Sequence, residues 1–532
     1  MLMIPWLVCN SGANQDKRFI NNDRKCAVIF GLDSLNLNLI TDAWIPIRRK
    51  DGERVIIAPW QMTDVHLAFP DWPRADLNIA CLELLIGLVF LADPPRDEED
   101  WQKRQAPDPE RLRERLAPFA PAFNLLGDGP RFMQDLEPFE GKADDANAPD
   151  MLFIDSAGGQ TARNNADLMV KRDRYPRIDL PLAAMALFTL QAHAPSGGAG
   201  NRTSMRGGGP LVTLVEPGGG LWPLIWANVP DGQAAETQDL PWMRTARTSE
   251  KGQFVFPHEA HPAQALLGTP RRLRLIADGE GVIGVAQKPY GANYSGWVHP
   301  LTPYYRVKPG AELLPRHPRA GAFGYRNWLG IVAGRPSGHD DTANRASVVD
   351  LWQARDGGRV DILVAGWAMD NMKPRDFVFS RAPLITLDDT AAQRMEALVK
   401  AADKFAVALR GALTVLLAEG EARETAREDF YIRTQPQFEA RLDALISASH
   451  DWPLIATAWV GDLRAVAIAM FDAAAEPGLA DRDIKLQRKI IEAHGALSGA
   501  FAGYGKLGRE AYDALDLPVP EQGGKKKKGK AA

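Results

Sequence analysis

Cysteine is scarce in this sequence, with only Cys9, Cys26 and Cys81 among 532 residues and no CxxC pair. Such spacing encodes neither a disulfide framework nor a zinc cluster. We therefore expect no metal or other cofactor. This cysteine usage fits a reducing cytoplasm, which is the expected location of the protein.

Long hydrophobic runs are also missing. The longest, residues 84–92, is bounded by Glu83 and Asp93 and falls far short of the roughly 20 residues of a membrane-spanning helix. This run predicts a buried helix. The apolar start, residues 1–9, has no basic stretch before it and no small-residue cleavage site after it, so a secretory signal is not expected.

Several enzyme signatures do not occur. The nine histidines include no HExxH pattern, and the sequence has no GxSxG pattern. The sequence therefore shows no motif of a zinc peptidase or of a hydrolase with a nucleophile elbow. His339-Asp340 resembles the metal-binding dipeptide of HD phosphohydrolases, but no second histidine or aspartate stands at a supporting spacing. A metal-dependent nuclease or phosphohydrolase using this dipeptide stays open as an alternative.

Neither sign of charge dominates. The 63 Lys and Arg residues stand against 67 Asp and Glu, for a formal net charge of −4. Contact with nucleic acid must therefore come from local patches, because no overall basic field exists. The composition, 45% hydrophobic and 24% charged, is that of a globular protein. The chain is long enough to form two or three hydrophobic cores.

The hydrophobic pattern changes along the chain from short strands and loops to long helices, and this change predicts the α+β fold class. Residues 1–36 lack periodicity and are interpreted as an accessory or misassigned extension. We expect a large, irregular mixed α/β domain over 37–385 and a four-helix bundle over 386–515, where apolar residues recur near the helical period. The lysine-rich end, 516–532, predicts a disordered basic tail.

Local patterns predict individual elements. Strands are expected at 37–40 and on both sides of a hairpin turn at Asp51-Gly52, and again at 211–215, 272–276 and 360–364. Residues 93–150 predict mobile surface excursions with one helix near 110–117. The remaining helices are expected at 75–91, from 388 to about 413, and at 421–449, 453–475 and 480–514.

The most unusual stretch, residues 195–210 (PSGGAGNRTSMRGGGP), is called the glycine segment below. Its many small residues allow backbone amides to approach a narrow partner, while Arg202 and Arg206 are spaced to hold phosphates. It is neither a Walker A loop nor a dinucleotide fingerprint, because a strand and not a helix follows it. A plain connector is the alternative interpretation.

Two further stretches have residues suited to contact with DNA. The lysine segment, residues 287–300, carries Lys288 among aromatic, Gly and Pro residues, and a lysine in a minor groove donates to base-edge acceptors. The hairpin segment, residues 366–374, offers the amide of Asn371 and the thioether of Met372 as a wedge between base pairs. A surface lysine and an ordinary turn are the respective alternatives.

Together with residues 39–47 (LITDAWIPI), 130–134 (PRFMQ) and 165–172 (NADLMVKR), these segments resemble the CasA family, the large subunit of the type I-E CRISPR complex Cascade. The similarity covers roughly residues 37–515. The order of several such motifs is more specific than any one of them. The stretch 165–172 is similar to the family's first loop, which engages the duplex and the end of the guide RNA.

This resemblance implies residue roles. The family's glycine loop falls on Gly197, Gly198, Ala199 and Gly200, its lysine finger on Lys288 and its strand-separating wedge on Asn371. Supporting phosphate or RNA contacts are expected from Arg202, Arg206, Leu168, Met169, Lys171 and Arg172. Position 199 is Ala where relatives commonly have Gly, and position 371 is Asn where some have Gln, so the accepted tags are expected to differ.

The resemblance also implies what the protein does. A non-catalytic subunit reads the protospacer-adjacent motif of double-stranded DNA from the minor groove and starts strand separation for guide-RNA pairing. Its partners are the target DNA, crRNA, other Cascade subunits and a helicase-nuclease that cuts. A purely structural scaffold subunit is a further alternative, in which the glycine segment only connects.

Overall fold

The computed structural model describes residues 36–139, 146–156, 164, 174–198, 200–334, 343–355, 357–447 and 451–519. Several sequence predictions lie outside these residues. They concern the extension, most of the basic tail, and Leu168, Met169, Lys171, Arg172, Ala199, His339 and Asp340.

Eleven strands in the described part of the chain form four small antiparallel sheets. The strand orders are β2-β1-β3, β11-β10-β4, β5-β6 and β8-β7-β9. The strands are β1 (Ile45–Arg49), β2 (Arg54–Ile57), β3 (Leu67–Pro70), β4 (Val212–Glu216), β5 (Arg272–Ala277), β6 (Val282–Lys288), β7 (Tyr304–Tyr305), β8 (Leu314–Pro315), β9 (Ala343–Asn344), β10 (Asp361–Asp370) and β11 (Lys373–Pro383).

Twelve α-helices occur within the same described residues, which confirms the predicted α+β class. Several begin at an aspartate whose carboxylate accepts a backbone N–H of the first turn, as Asp179 and Asp388 do. The helices are α1 (Ala75–Ala92), α2 (Glu98–Lys103), α3 (Pro109–Leu116), α4 (Leu180–His193), α5 (Leu221–Ala227), α6 (Gln264–Leu267), α7 (Ser347–Ala354), α8 (Asp389–Ala412), α9 (Glu421–Ile446), α10 (Trp452–Ala475), α11 (Ile484–Phe501) and α12 (Gly505–Ala514).

Helix α1 is the centre of the mixed region. It packs against α4, α5, α6 and strands β3 and β10. By length and composition α1 and α10 are both apolar enough to cross a membrane, but 89% of the α1 window is buried inside the protein. The prediction of a buried helix here is confirmed.

The C-terminal helices surround α8, which contacts α9, α10, α11 and α12. Trp459 of α10 is fully buried and its indole donates to the carbonyl of Leu398 on α8, at 2.9 Å. The single helix expected over 480–514 is wrong, because Gly503 and Gly505 adopt φ of +82° and +72° and separate α11 from α12. Over residues 389–447 and 451–514, which the structure describes, the bundle therefore has five helices, where four were expected.

A tight joint connects this bundle to the mixed region. Tyr325 stacks on Phe438 of α9 with ring centroids 4.3 Å apart. Beside it, Arg326 donates to both carboxylate oxygens of Glu428. Aromatic stacking and a bidentate ion pair fix α9 against the loop that precedes β9.

Two predictions about the first part of the chain have different outcomes. The hairpin at Asp51-Gly52 is confirmed, with β1 and β2 paired and Gly52 at φ +93°. The strand at 37–40 is wrong, because the side-chain oxygen of Asn38 accepts the N–H groups of Ile40 and Thr41 and turns the chain. Only Asn38 itself forms a β-bridge.

Residues 98–139 do not form surface excursions. They carry helices α2 and α3, and their large apolar side chains belong to the main core. Phe123 and Phe132 stack on each other and both contact the ring of Trp242. Of the polar residues that suggested mobility, many are exposed, such as Glu110 and Glu114, while Asp135 is buried.

Candidate nucleic-acid interface

The glycine segment is a loop that leaves α4 and leads into β4. Its base is closed by two backbone hydrogen bonds, from Ser204 N–H to the Ala194 carbonyl and from Gly209 N–H to the His193 carbonyl, both 3.0 Å. The loop is therefore held at its base by the end of a buried helix.

The tip of the glycine segment is a tight turn around Gly198. The N–H of Asn201 donates to the Gly198 carbonyl at 2.7 Å, and Gly198 and Gly200 adopt φ of +66° and +76°. Glycine favours this left-handed region because it lacks a Cβ. Apart from Gly198 and its two chain neighbours, no described atom lies within 4 Å of the point where a Cβ of Gly198 would stand, and Gly198 is exposed.

The other described glycines of this segment, although Gly197 is itself exposed, have no room for a Cβ, which corrects the reason given for them from sequence. A Cβ at any of these positions would stand less than 3.0 Å from a neighbouring residue. These positions are required for internal packing, and Gly198 alone among the described glycines of the segment has open space. The pairs are Gly197 with Arg271, Gly200 with Tyr290, Gly207 with His317, Gly208 with Pro195 and Gly209 with Trp367.

Arg271, at the start of β5, holds the loop from below, and sequence reasoning did not find it. Its Nε donates to the carbonyl of Arg202 at 2.6 Å and its Nη2 to the carbonyl of Pro195 at 2.5 Å. Burial lowers the pKa of Arg271 to about 10, so the group still carries its charge at neutral pH. A lone arginine about 70 residues away gives no local signal of this contact.

The lysine segment contacts the tip directly. The N–H of Tyr290 donates to the carbonyl of Gly200 at 3.0 Å, and Tyr290 adopts φ +58° to do so. Tyr290 follows Lys288, the last residue of β6, by two positions. The lysine and the glycine tip are thus neighbours in space although 88 residues separate Gly200 from Lys288 along the chain.

Lys288 is partly buried and does not project freely. Its ammonium lies 4.7 Å from the ring centroid of Phe139, in cation–π contact. In the β5–β6 pairing Lys288 stands opposite Arg272. The side chain therefore rests on the Phe139 ring.

The hairpin segment forms the two-residue turn between β10 and β11. Asn371 and Met372 occupy φ of +48° and +63° between the paired residues Asp370 and Lys373. Two consecutive positive φ values are typical of a type I′ turn, and a methionine there is strained by about 1 kcal/mol or more. The Asn371 amide, which donates to Asp370 at 3.1 Å, and the half-exposed Met372 both lie at the surface.

This turn packs against the far side of the glycine segment. A Cβ at Gly208 would stand 3.1 Å from the sulfur of Met372, and one at Gly209 would stand 2.5 Å from the carbonyl oxygen of Trp367. The glycine segment thus contacts Tyr290 of the lysine segment at its tip and the hairpin segment at its buried end, Gly208 and Gly209. The three segments are linked by these contacts.

The two arginines predicted to hold phosphates differ in position. Arg202 is partly exposed and donates to the hydroxyl of Ser249 at 2.9 Å. Arg206 is 2% exposed, and its guanidinium donates to the carboxylate of Glu83 and to Thr302. The expected phosphate contact of Arg206 is corrected, because the side chain points into the core.

The core beneath the loop contains a buried charge cluster. Glu83 of α1 is bound by Arg206 and by His193, each at 2.6 Å. Burial alone would raise the pKa of Glu83, but the charge of Arg206 and the hydrogen bond with His193 outweigh it and hold this pKa well below its usual value. Burial and the nearby Arg206 keep the pKa of His299 well below its usual value.

No group of three or more His, Cys, Asp or Glu residues suited to a metal ion occurs within the described ranges. The His339-Asp340 dipeptide lies outside them. The candidate site is therefore made of loops with one partly exposed arginine, Arg202, and one lysine, Lys288. Such a site suits binding to a partner whose shape is complementary to these loops.

A family model for CRISPR-associated protein Cse1 matches residues 38–470. The chain belongs to the Cse1 family. Solved Cse1 structures share its fold at low identity. CasA of Thermus thermophilus aligns with a TM-score of 0.63 and 18% identity, over 87% of this chain and 99% of that one.

Two further Cse1-like structures agree. Cse1 of Thermobifida fusca has a TM-score of 0.64 and 18% identity, covering 90% of this chain and 98% of the other. A chain in a structure described as a CRISPR RNA-guided surveillance complex has a TM-score of 0.62 and 16% identity, covering 87% and 99%. At these identities the likeness shows the shared fold.

Proposed function

We propose that this Cse1-family chain is the large subunit of a type I-E Cascade complex and reads the protospacer-adjacent motif of double-stranded DNA from the minor groove. Family membership supports the subunit role, since a similar chain occurs in an RNA-guided surveillance complex. The observation that carries the reading role is the contact of the glycine segment with Tyr290 at its tip and with Met372 at Gly208.

The glycine tip enters the groove. B-DNA's minor groove is about 6 Å wide, so only backbone or very small residues reach its floor. Gly198 meets this condition, because its Cα faces open space. Gly197, Ala199 and Gly200 belong to the same proposed contact, with Gly197 and Gly200 setting the shape of the turn.

Lys288 supplies the base contact. Its ammonium leaves the Phe139 ring and donates to acceptors on the base edges, a movement that costs about 0.5–1 kcal/mol for an exposed cation–π pair. The minor groove distinguishes little beyond A·T from G·C. The protein therefore accepts several tags.

Asn371 and Met372 start strand separation. Both stand at the turn of the β10–β11 hairpin. In groove-binding proteins apolar side chains such as methionine wedge between base steps, and asparagine contacts base edges. Once the first pair opens, guide RNA pairs with the target strand and reads the remaining sequence. The protein itself inspects only the tag.

Other contacts complete the proposal. Arg202 binds a phosphate beside the tip, and Leu168, Met169, Lys171 and Arg172 contact the duplex or the crRNA end. The chain acts without catalysis in the cytoplasm and helps recruit the separate helicase-nuclease that cuts.

A tag-library binding assay tests the proposal. The chain is assembled with guide RNA and partner subunits and presented with duplexes that share a target but differ in the adjacent tag. We expect affinity to depend on the tag. Equal binding of all tags favours the scaffold alternative, and metal-dependent cleavage by the purified chain favours the phosphohydrolase alternative.

A further inference from the structure

A ladder of exposed aromatic rings lies outside the proposed tag-reading surface. The rings of Phe254 and Phe256 have centroids 6.0 Å apart, and those of Phe256 and His258 are 5.6 Å apart and nearly parallel, at 16°. Phe254 is 44% exposed and Phe256 37%. Single exposed apolar side chains are common, but adjacent exposed rings form an apolar patch, and such patches mark sites of contact with a partner.

The segment that carries these rings, called the aromatic ladder, is anchored by the residue between them. Val255 is buried in a small core with Ala292 and Trp297. Its N–H donates to the Asn293 carbonyl at 2.8 Å, and its own carbonyl accepts the indole N–H of Trp297 at 2.9 Å. Alternation in an extended chain then turns Phe254 and Phe256 outward.

A positively charged cavity lies directly beside the ladder. Its volume is about 350 Å³, and both Val255 and Glu259 line it. Four arginines against two carboxylates give its wall a formal excess of positive charge. These residues are Arg244, Arg247, Arg271, Arg272, Asp135 and Glu259.

One carboxylate of the cavity wall, that of Glu259, also holds the backbone of the aromatic ladder. Glu259 accepts the N–H of Phe256 at 3.1 Å and the guanidinium of Arg247 at 2.7 Å. A phosphate at the cavity would find Arg244, which lines it, is exposed and donates to the Gln238 carbonyl, with no carboxylate partner among the described residues. Lys251, three residues before Phe254, is exposed as well. Rings and cations thus occur side by side, as on surfaces that hold single strands.

The ladder is close to the proposed tag-reading surface. The N–H of Ser249 donates to the carbonyl of Tyr290 at 3.2 Å, and its hydroxyl accepts from Arg202. Five residues lead from Ser249 to Phe254, a distance of at most about 17 Å. A strand that leaves an opened duplex at the tip needs only a few nucleotides to reach the rings.

We propose that Phe254, Phe256 and His258 form a stacking platform for unpaired bases of a nucleic-acid strand, whose phosphates lie at the mouth of the arginine-lined cavity. Base stacking on aromatic rings tolerates any sequence, because every base has a flat π face. The source of the strand, displaced DNA or guide RNA, depends on the proposed function. The stacking itself does not.

The first experiment uses the purified full chain and short single-stranded oligonucleotides that carry one 2-aminopurine, in DNA and RNA forms. Stacking quenches 2-aminopurine fluorescence. We expect F254L/F256L to reduce the quench and to weaken binding about tenfold, the scale of one stacked base. F254Y/F256Y should restore both, because it returns the rings.

Phe379→Leu is the matched control, since Phe379 is 50% exposed on β11, away from the ladder. It should bind like the wild type. If F254L/F256L shows the same quench and affinity as the wild type, the platform is overturned. The exposed phenylalanines would then serve an apolar contact with a protein. A tyrosine variant no better than the leucine variant overturns it as well.

The second experiment identifies the strand in the assembled complex. 2-Aminopurine is placed in the displaced DNA strand next to the tag or at the nearby end of the guide RNA. A ladder-dependent quench in one placement supports the platform and names the strand. If neither placement shows a quench that depends on the ladder while the complex keeps its tag preference, the platform is overturned. If the quench depends on the ladder but the complex shows no tag preference, only the proposed function is overturned.

Discussion

The guanidinium of Arg206 donates a 2.6 Å hydrogen bond to the carboxylate of Glu83, and both side chains are at most 2% exposed. Glu83 lies on the central helix α1, and Arg206 lies in the glycine segment. The ion pair therefore attaches the proposed tag-reading loop to the core of the protein.

Glu83→Gln should destabilise the protein by about 3–5 kcal/mol at pH 7, because it leaves Arg206 buried without a counter-charge. Glu99→Gln is the control; its partner Lys103 is exposed, so we expect less than about 1 kcal/mol. Denaturant unfolding of both variants measures the difference. Equal, small effects would remove the structural role of the buried pair.

The same pair predicts a pH dependence. The pKa of Glu83 is lowered in the folded state, so its contribution is complete above the unfolded value of about 4.3. It is lost as the pH falls below that value toward the folded pKa. The stability gap between wild type and Glu83→Gln should therefore narrow below about pH 4, and a gap that widens there contradicts this assignment.

Gly198→Asn should abolish tag preference with little loss of stability. Asparagine tolerates positive φ, and nothing in the structure obstructs a side chain at this position, so the added group affects only a bound partner. Gly478→Asn is a matched control, with the same φ of +66° and equally open space in the turn after α10. If both variants keep full tag preference, the tip lies outside the interface.

Lys288→Ala should weaken binding to tagged DNA by about 1–3 kcal/mol, the scale of one good base contact, and leave untagged DNA unaffected. Lys308→Ala, at an exposed lysine, should change neither. Equilibrium binding of the assembled complex to the two duplexes separates the effects. An equal loss for both duplexes would make Lys288 a phosphate contact.

Asn371→Ala should leave duplex binding intact and slow R-loop formation, because the wedge amide is lost. Asn371 has φ +48°, so alanine also strains the turn. Asn371→Gly removes the amide without that strain and should slow R-loop formation to a similar extent. A normal R-loop rate in the glycine variant would assign the effect to turn geometry.

Local chemistry in the sequence predicts much of the fold. Asp51-Gly52 indicates its hairpin because the required backbone conformation is a property of those two residues. The strand at 37–40 fails for the opposite reason, since the apolar pattern does not reveal that Asn38 hydrogen-bonds its neighbours. Gly503 and Gly505 similarly divide a helix that periodicity predicts to be continuous.

The candidate site is less predictable, because its contacts join distant parts of the chain. The sequence offers no sign that Arg206 turns inward to Glu83, 123 residues away, while Arg202 stays at the surface. Likewise, nothing local distinguishes Gly198, with open space around it, from Gly200, which packs on Tyr290. The three segments were recognised from sequence, but their mutual contacts are a property of the fold.

Base analogues in the tag test the central claim most directly. After a tag library identifies an accepted tag, its purines are replaced by 3-deaza analogues, which lack a minor-groove acceptor, or by 7-deaza analogues, which lack a major-groove acceptor. We predict that the 3-deaza duplex binds the assembled complex on the order of tenfold more weakly (about 1.4 kcal/mol) and that the 7-deaza duplex binds normally. The reverse pattern would contradict minor-groove reading by Gly198, Lys288 and Asn371.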